Sequence, residues 1–228
     1  MRRICLPFGL ALATSLLAAA PSSARNAPDD DLKEYAVHIN RTPPQPWPGY
    51  GIYLGNGLVV TAAHVPGNVA FTRPHVIIGG VDLPAALVKQ GAFEETDLTL
   101  LSVDAAKLPI RLQMRRMPLC QRPPYPGEAV VTAVPEGVAA SRVLPPTVIP
   151  KDMRGRFGTV IGDVATTGDS GSGVFDAWNE CLLGIMSRKI SVKLRSARFG
   201  APVRTVDIAK YFVPANEIRA FIPANVSF

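Results

Sequence analysis

Gly51-Ile52-Tyr53-Leu54-Gly55-Asn56-Gly57-Leu58-Val59-Val60-Thr61-Ala62-Ala63-His64 holds two apolar runs of strand length separated by a three-residue interruption. Asn and Gly tolerate the positive φ that tight hairpin turns require, so Gly55-Asn56-Gly57 reads as a hairpin connection. Both runs are too short for a helix. Similar runs recur at Val76–Ile78, Leu98–Val103, Ala129–Val134, Thr159–Ile161, Gly173–Phe175 and Leu182–Met186. Composition points the same way: 22 Pro and 19 Gly in 228 residues place proline near twice its usual share of roughly 5 %, which favours many short strands over long helices. Hydrophobic residues make up 47 % and charged residues only 18 %, which excludes a disordered chain. The expectation is an all-β fold, in a chain long enough to bury a core without staples.

Working outward from the hairpin, the N-terminal end reads differently. Arg2 and Arg3 precede a largely apolar, uncharged run from Leu6 to Ala20, and Ser22-Ser23-Ala24 supplies the small residues that a signal peptidase reads. Residues 1–24 are therefore expected to be a signal peptide, cleaved on export to the periplasm or the exterior. The run contains Pro7, Gly9, Thr14 and Ser15 and falls short of the roughly 20 apolar residues of a span, so no stable membrane span is expected after cleavage. Removing two arginines leaves a formal charge of 22 − 18 = +4, too mild for a nucleic-acid binder. The denser cluster Arg188, Lys189, Lys193, Arg195 and Arg198 lacks interleaved aromatics to stack on bases, and reads as a solvated loop. Cleavage leaves Cys120 and Cys181, an even pair that in an exported chain forms a disulfide or else stays as two unconnected thiols. Two Cys and three scattered His are too few for a zinc site, and no phosphate-binding glycine loop is present, so neither metal nor cofactor is expected.

A Pro-rich passage at 117–127 divides the strand-length runs into two groups. Such a segment cannot join a sheet interior and reads as a linker. The organisation expected is one β domain over 25–116, a second over 128–213, and a helix with a tail over 214–228. For that helix, Pro214 suits a first turn, while Ile218, Phe221 and Ile222 have helical spacing.

Three segments on this map carry chemistry. The strand Leu58–Ala62 runs into His64, Glu95-Thr96-Asp97 opens the strand that follows it, and Thr167-Gly168-Asp169-Ser170-Gly171-Ser172-Gly173 precedes a third strand. A hydroxyl is a poor nucleophile until an imidazole takes its proton, and the imidazole needs a carboxylate to fix its tautomer. The glycines around Ser170 leave backbone N–H groups free to approach a developing oxyanion. Asp82 and Asp104 compete with Asp97 for the orienting role, but only Asp97 is followed by the apolar strand. His38 and His75 have no such context and read as structural or surface residues. The order His, Asp, Ser also argues against an α/β-hydrolase, which runs Ser, acid, His and would need Gly where Ser172 stands.

On these motifs, with Gly184-Ile185-Met186-Ser187, the chain resembles the trypsin/chymotrypsin-like serine peptidases, and within them the compact exported bacterial members. The resemblance spans roughly Ala36 to Ile222. It implies two antiparallel six-stranded β-barrels with a short C-terminal helix, and a site in the cleft between them. His64 would be the general base and acid, Asp97 its orienting carboxylate and Ser170 the nucleophile of an endopeptidase working through an acyl-enzyme on a polypeptide substrate. The backbone N–H groups of Gly168 and Ser170 would form the oxyanion hole, and a Cys120–Cys181 disulfide would match one in the family. A monomer is expected. No Ile-Val-Gly-Gly sequence precedes His64, and cleavage after Lys33 would expose Glu34, so the activation route of trypsin-like zymogens is not in place. Val164, six residues before Ser170, would floor the primary pocket, with Ser187, Arg188 and Lys189 at its far wall and rim. An apolar floor disfavours a cationic substrate side chain, so small or medium apolar residues are expected before the cut, acidic ones second. The alternative is a binding or scaffold protein that keeps this fold without turnover.

Overall fold

The computed structural model describes residues 28–40, 49–162, 170–194 and 203–228. Residues 1–24, Val164, Gly168, Asp169, Arg195 and Arg198, on which several of the expectations rest, lie outside them. After a short helix α1 (Pro28–Lys33), the first half contains β1 (Ala36–Asn40), β2 (Gly49–Gly55), β3 (Leu58–Thr61), α2 (Val69–Thr72), β4 (His75–Ile78), β5 (Val81–Pro84), β6 (Ala86–Gln90), β7 (Thr99–Ser102) and α3 (Ile110–Gln113). The second half contains β8 (Ala129–Val134), β9 (Gly137–Leu144), β10 (Val160–Ile161), β11 (Gly173–Asp176), β12 (Leu182–Leu194), β13 (Arg204–Pro214) and α4 (Ala215–Phe221).

The second set of strands forms a closed six-stranded barrel in the order β10-β13-β12-β11-β8-β9. The first forms a seven-stranded antiparallel sheet in the order β5-β4-β1-β2-β3-β7-β6, where six strands in a closed barrel were expected. The difference lies at Ala85. β5 and β6 occupy opposite edges of the sheet yet are separated in sequence by Ala85 alone. Residues 81–90 thus act as one bent strand, pairing with β4 through its first half and β7 through its second. The sheet curls until its edges meet at that corner, and its closure is covalent instead of a hydrogen-bonded ladder.

The hairpin that opened the sequence reading forms as β2 and β3, with Ile52 opposite Val60 and Tyr53 opposite Val59. Asn56 and Gly57 turn through φ of 47° and 79°, and the Gly57 N–H donates to the Tyr53 hydroxyl. These strands lack a polar face for a physical reason. Tyr53, Val59 and Leu101 point into the first sheet's own core, while Ile52, Leu54, Leu58, Val60 and Leu100 join a second core shared with Val130, Val174, Ile185 and Phe212 of the barrel. Burial on both faces gives near-continuous apolar runs.

The Pro-rich segment runs beside the start of β12. Leu119 makes a parallel bridge to Leu182 at the start of β12, with the Cys120 N–H donating to Leu182 O at 3.0 Å and the Leu182 N–H to Pro118 O at 2.8 Å. Proline lacks only a donor; the pairing uses a proline carbonyl and the N–H of Cys120. Arg122 then bridges Glu128 and Asp176, both buried, at 2.9 and 2.6 Å. The Cys120–Cys181 disulfide is formed, joining this segment to the turn before β12. α4 follows Pro214 as expected and buries Ile218 and Phe221. Replacing both cysteines by serine reopens a loop with a sequence separation of 61. Chain entropy puts the expected loss of unfolding free energy at about 4 kcal/mol. Urea unfolding measures it, and a loss under about 1 kcal/mol would show that the closed loop does not stabilise the chain.

Candidate active site

The pairing of β3 with β7 decides where the first two chemical groups go. Thr61 lies opposite Thr99, so His64, just past the end of β3, and Asp97, just before the start of β7, emerge together at one end of the sheet. His64 Nδ1 is 3.1 and 3.0 Å from the two Asp97 carboxylate oxygens, and the His64 backbone N–H donates to Oδ1 at 3.3 Å. An ionised carboxylate only accepts, so the ring nitrogen facing it, Nδ1, carries a proton. The Asp97 side chain is 1 % exposed and that of His64 32 %. Burial pushes the Asp97 carboxyl up, but the hydrogen bonds from His64 and Ser187 outweigh it and hold the group below its usual range.

Ser187, in β12, donates its hydroxyl to Asp97 Oδ2 at 2.6 Å, while its carbonyl accepts the Ser170 hydroxyl at 3.1 Å. One residue of the barrel therefore touches both the carboxylate and the candidate nucleophile. Ser170 is tied to the first sheet as well, because the Tyr50 N–H donates to its carbonyl at 3.0 Å. Behind it, the Gly171 N–H donates to Met186 O at 2.8 Å. Gly171 has φ of +90°, and a Cβ there would stand 1.8 Å from Tyr50 O. Only glycine fits where the segment after Ser170 presses against β2.

Of the residues singled out in sequence, His64, Asp97 and Ser170 converge through these contacts. Ser187 is close by, with its hydroxyl on Asp97. Lys189 follows on β12 and pairs with Asp207 at 2.9 Å. Asp82 instead pairs with His75 at 3.0 Å, Asp104 caps a turn by accepting from the Ala106 N–H, and His38 lies 3.0 Å from Glu136.

The basic cluster needs correction. Arg188, Lys189 and Lys193 lie on β12 and are not part of a loop. Arg188 is largely buried, 3.7 Å above the Phe93 ring centroid, with its guanidinium 3.7 Å from Asp97. The Phe93 ring meets the His64 ring edge-on at 5.1 Å. Phe93 does not stand out in the sequence as a site residue, and Arg188 does so only within the pocket wall that the resemblance implies, since their meeting depends on β12 reaching across to the 91–98 segment. A shallow cleft beside His64 is lined by Gly67, Asn68, Gln90 and Phe93. Among the described residues, Cys120, Asp176 and Cys181 form the one close grouping of metal-ligand side chains. Its two sulfurs are joined to each other, which leaves a single carboxylate.

Solved structures share this arrangement of strands. The active form of the Rv3671c protease from M. tuberculosis is 17 % identical, with a TM-score of 0.57 over 96 % of this chain and 92 % of that one. Kallikrein-related peptidase 10 in complex with Zn2+ is 16 % identical, with a TM-score of 0.58 over 82 % and 92 %. A human pathogenic astrovirus serine protease is 19 % identical, with a TM-score of 0.52 over 84 % and 94 %. The chain has the trypsin-like serine protease fold. No family model matches the sequence, and no curated protein matches it. In this trypsin-like fold the contacts of His64, Asp97 and Ser187 form a triad-like arrangement beside Ser170.

The low native pKa of Asp97 makes stability depend on pH in a defined sense. A carboxyl depressed on folding contributes stability that is fully present above its unfolded value of about 3.9 and lost as pH falls through the lower folded value. Asp97→Asn lacks this titration. Unfolding midpoints measured from pH 6 down to pH 2 should fall more steeply below pH 4 for the native chain than for the variant. Parallel slopes would refute the assignment of the titration to Asp97.

Proposed function

We propose that the protein is an exported serine endopeptidase. The observation that carries this reading is the Asp97 carboxylate, buried and bonded to His64 Nδ1, with the hydroxyl of Ser187 on its second oxygen and Ser170 on the Ser187 carbonyl. Asp97 fixes the Nδ1–H tautomer, leaving Nε2 to accept a proton. Attack requires the Ser170 hydroxyl to leave the Ser187 carbonyl and donate to Nε2 as a substrate binds; catalytic hydrogen bonds of this kind often form only in the bound complex.

As Oγ bonds to the substrate carbonyl carbon, its proton passes to His64, and the carbonyl oxygen takes up the negative charge. His64 then protonates the leaving amine, the C–N bond breaks and the acyl group remains on Ser170. A water, deprotonated in turn by His64, adds to the acyl carbon, and the Oγ–C bond breaks as His64 returns that proton to Ser170, releasing the new carboxyl end. Gly168 and Ser170 supply the backbone N–H groups assigned to the oxyanion, an interaction worth roughly 3–4 kcal/mol per donor in enzymes of this type. Export fits the disulfide and the peptide-like leader over residues 1–24. No helix among the described residues is long and apolar enough to cross a membrane.

The chain lacking residues 1–24 should react with a fluorophosphonate probe and cleave casein. Ser170→Ala should abolish labelling, and Ser170→Ala and His64→Ala should each lower turnover by roughly four to six orders of magnitude. Casein cleavage by Ser170→Ala at the native rate would refute the nucleophile assignment, and a folded, unlabelled, inactive native chain would favour the scaffold reading. For export, the mass of protein recovered outside the cytoplasm should correspond to a chain starting at Arg25.

A further inference from the structure

Arg188 is a largely buried charge beside the candidate site that the proposed chemistry leaves unused. Its Nε donates to Ser187 Oγ at 3.3 Å, and Nη2 donates to the Phe93 carbonyl and lies 3.7 Å from Asp97 Oδ2. Its Cζ is 3.7 Å from the Phe93 ring centroid and 5.2 Å from that of Phe157. Taking a guanidinium out of water is costly. Burial pulls this group below its usual value, with Asp97 opposing the shift. Such a cation is retained only where its contacts outweigh that cost.

Those contacts bear on the candidate site at two points. A hydroxyl has one proton, and Ser187 Oγ, by accepting from Arg188 Nε, is left to aim that proton at Asp97. Arg188 thereby fixes the direction of the 2.6 Å bond from Ser187 to Asp97 and adds its own charge to the same oxygen. On the other side it holds the carbonyl and the ring face of Phe93, whose edge packs on His64. The same segment is clasped again by Arg156, which bonds the Glu94 carbonyl and lies 3.2 Å from its carboxylate. One side chain of the barrel thus braces both members of the His64–Asp97 pair on the first sheet.

We infer that Arg188 is a positioning residue, holding Asp97 through Ser187 and His64 through Phe93 in the geometry that proton transfer needs. The inference rests on reading His64, Asp97 and Ser170 as the catalytic set. Arg188 touches no reacting atom, and its loss should misplace the pair without removing it. Displacements on the order of 1 Å at a catalytic pair cost up to about a hundredfold in rate.

The test uses the full chain from Arg25 onward, native and with Arg188→Ala, Arg188→Met and Arg188→Lys. Thermal melts identify the variants that fold; Arg188→Met keeps the apolar stem over the rings. On a peptide substrate of the native enzyme, kcat should fall by about tenfold to a hundredfold in Arg188→Met, with KM changed less than about threefold. Arg188→Lys should recover little, because an ammonium cannot reproduce the planar fork. Added guanidinium ion should restore part of the kcat of Arg188→Ala and none of that of Ser170→Ala.

A readout independent of turnover is the His64 Nδ1–H proton resonance, expected to be slow to exchange in the native chain and broadened by fast exchange in Arg188→Met. An unchanged resonance and exchange rate in the folded Arg188→Met variant would overturn the inference whether or not the protein turns out to be a peptidase. So would a native kcat in Arg188→Met, or a loss confined to KM. Absence of fluorophosphonate labelling in the native chain would count against the peptidase reading alone, with the resonance still deciding the role of Arg188.

Discussion

The Asp97 carboxylate is a negative charge with 1 % of its side chain exposed, and much of the architecture can be understood as what such a charge requires. An isolated ion there would cost several kcal/mol even after relaxation. Its lone pairs are therefore taken up by the backbone and ring N–H groups of His64 and by the Ser187 hydroxyl, with Arg188 nearby. Two of these partners come from the end of β3 and two from β12 in the other half of the molecule. Neither the seven-stranded sheet nor the barrel alone could hold the charge. The buried carboxylate makes the packing of the two halves and the formation of the site one event.

Precision comes from the strands behind these groups. β2, β3 and β7 are buried on both faces, and a register slip of one residue would exchange the sheet's own core for the inter-barrel core. That constraint locks Thr61 against Thr99, and with them the separation of His64 from Asp97. Ser170 is located by a different device, a backbone hydrogen bond from Tyr50 to its carbonyl and the close approach of Gly171 to β2. Site residues on loops are held by elements that have little freedom to shift.

These same properties explain what the sequence disclosed. Strands buried on both faces are apolar throughout, so β2, β3, β7, β8 and the first half of β12 were legible as runs. β1, β5, β6, β9 and β13 were not, because each faces solvent or polar neighbours along part of its length; β13 reads Arg-Thr-Val-Asp-Ile-Ala-Lys before its apolar end. The bent strand at Ala85 was equally hidden, since its two halves belong to opposite edges of one sheet. His64, Asp97 and Ser170 were visible because each adjoins a legible strand and their order is distinctive. Ser187 was visible as a strand residue and, through the resemblance, as a pocket wall, but its bond to Asp97 is a long-range fact. Arg188 was misread as part of a solvated loop because charge density in sequence does not reveal a carboxylate and a ring waiting across an interface.

The contrast between Arg188 and Arg122 shows why a cation has to be read together with what it touches. Arg122 bridges Glu128 and Asp176 and leans on Tyr125. Its partners are fixed by β8, β11 and the Pro-rich segment, so it ties a connection to the barrel that the segment already serves. Arg188 spans the two halves instead, and its partners Ser187, Asp97 and Phe93 include both groups in direct contact with the His64 ring. Removing a cation of the first kind leaves the Glu128 and Asp176 carboxylates buried without a counter-charge, a cost that falls on stability. Removing one of the second kind also reaches the candidate site, because a hydrophobic side chain gives the Ser187 hydroxyl no donor to accept from and the Asp97 carboxylate no neighbouring charge.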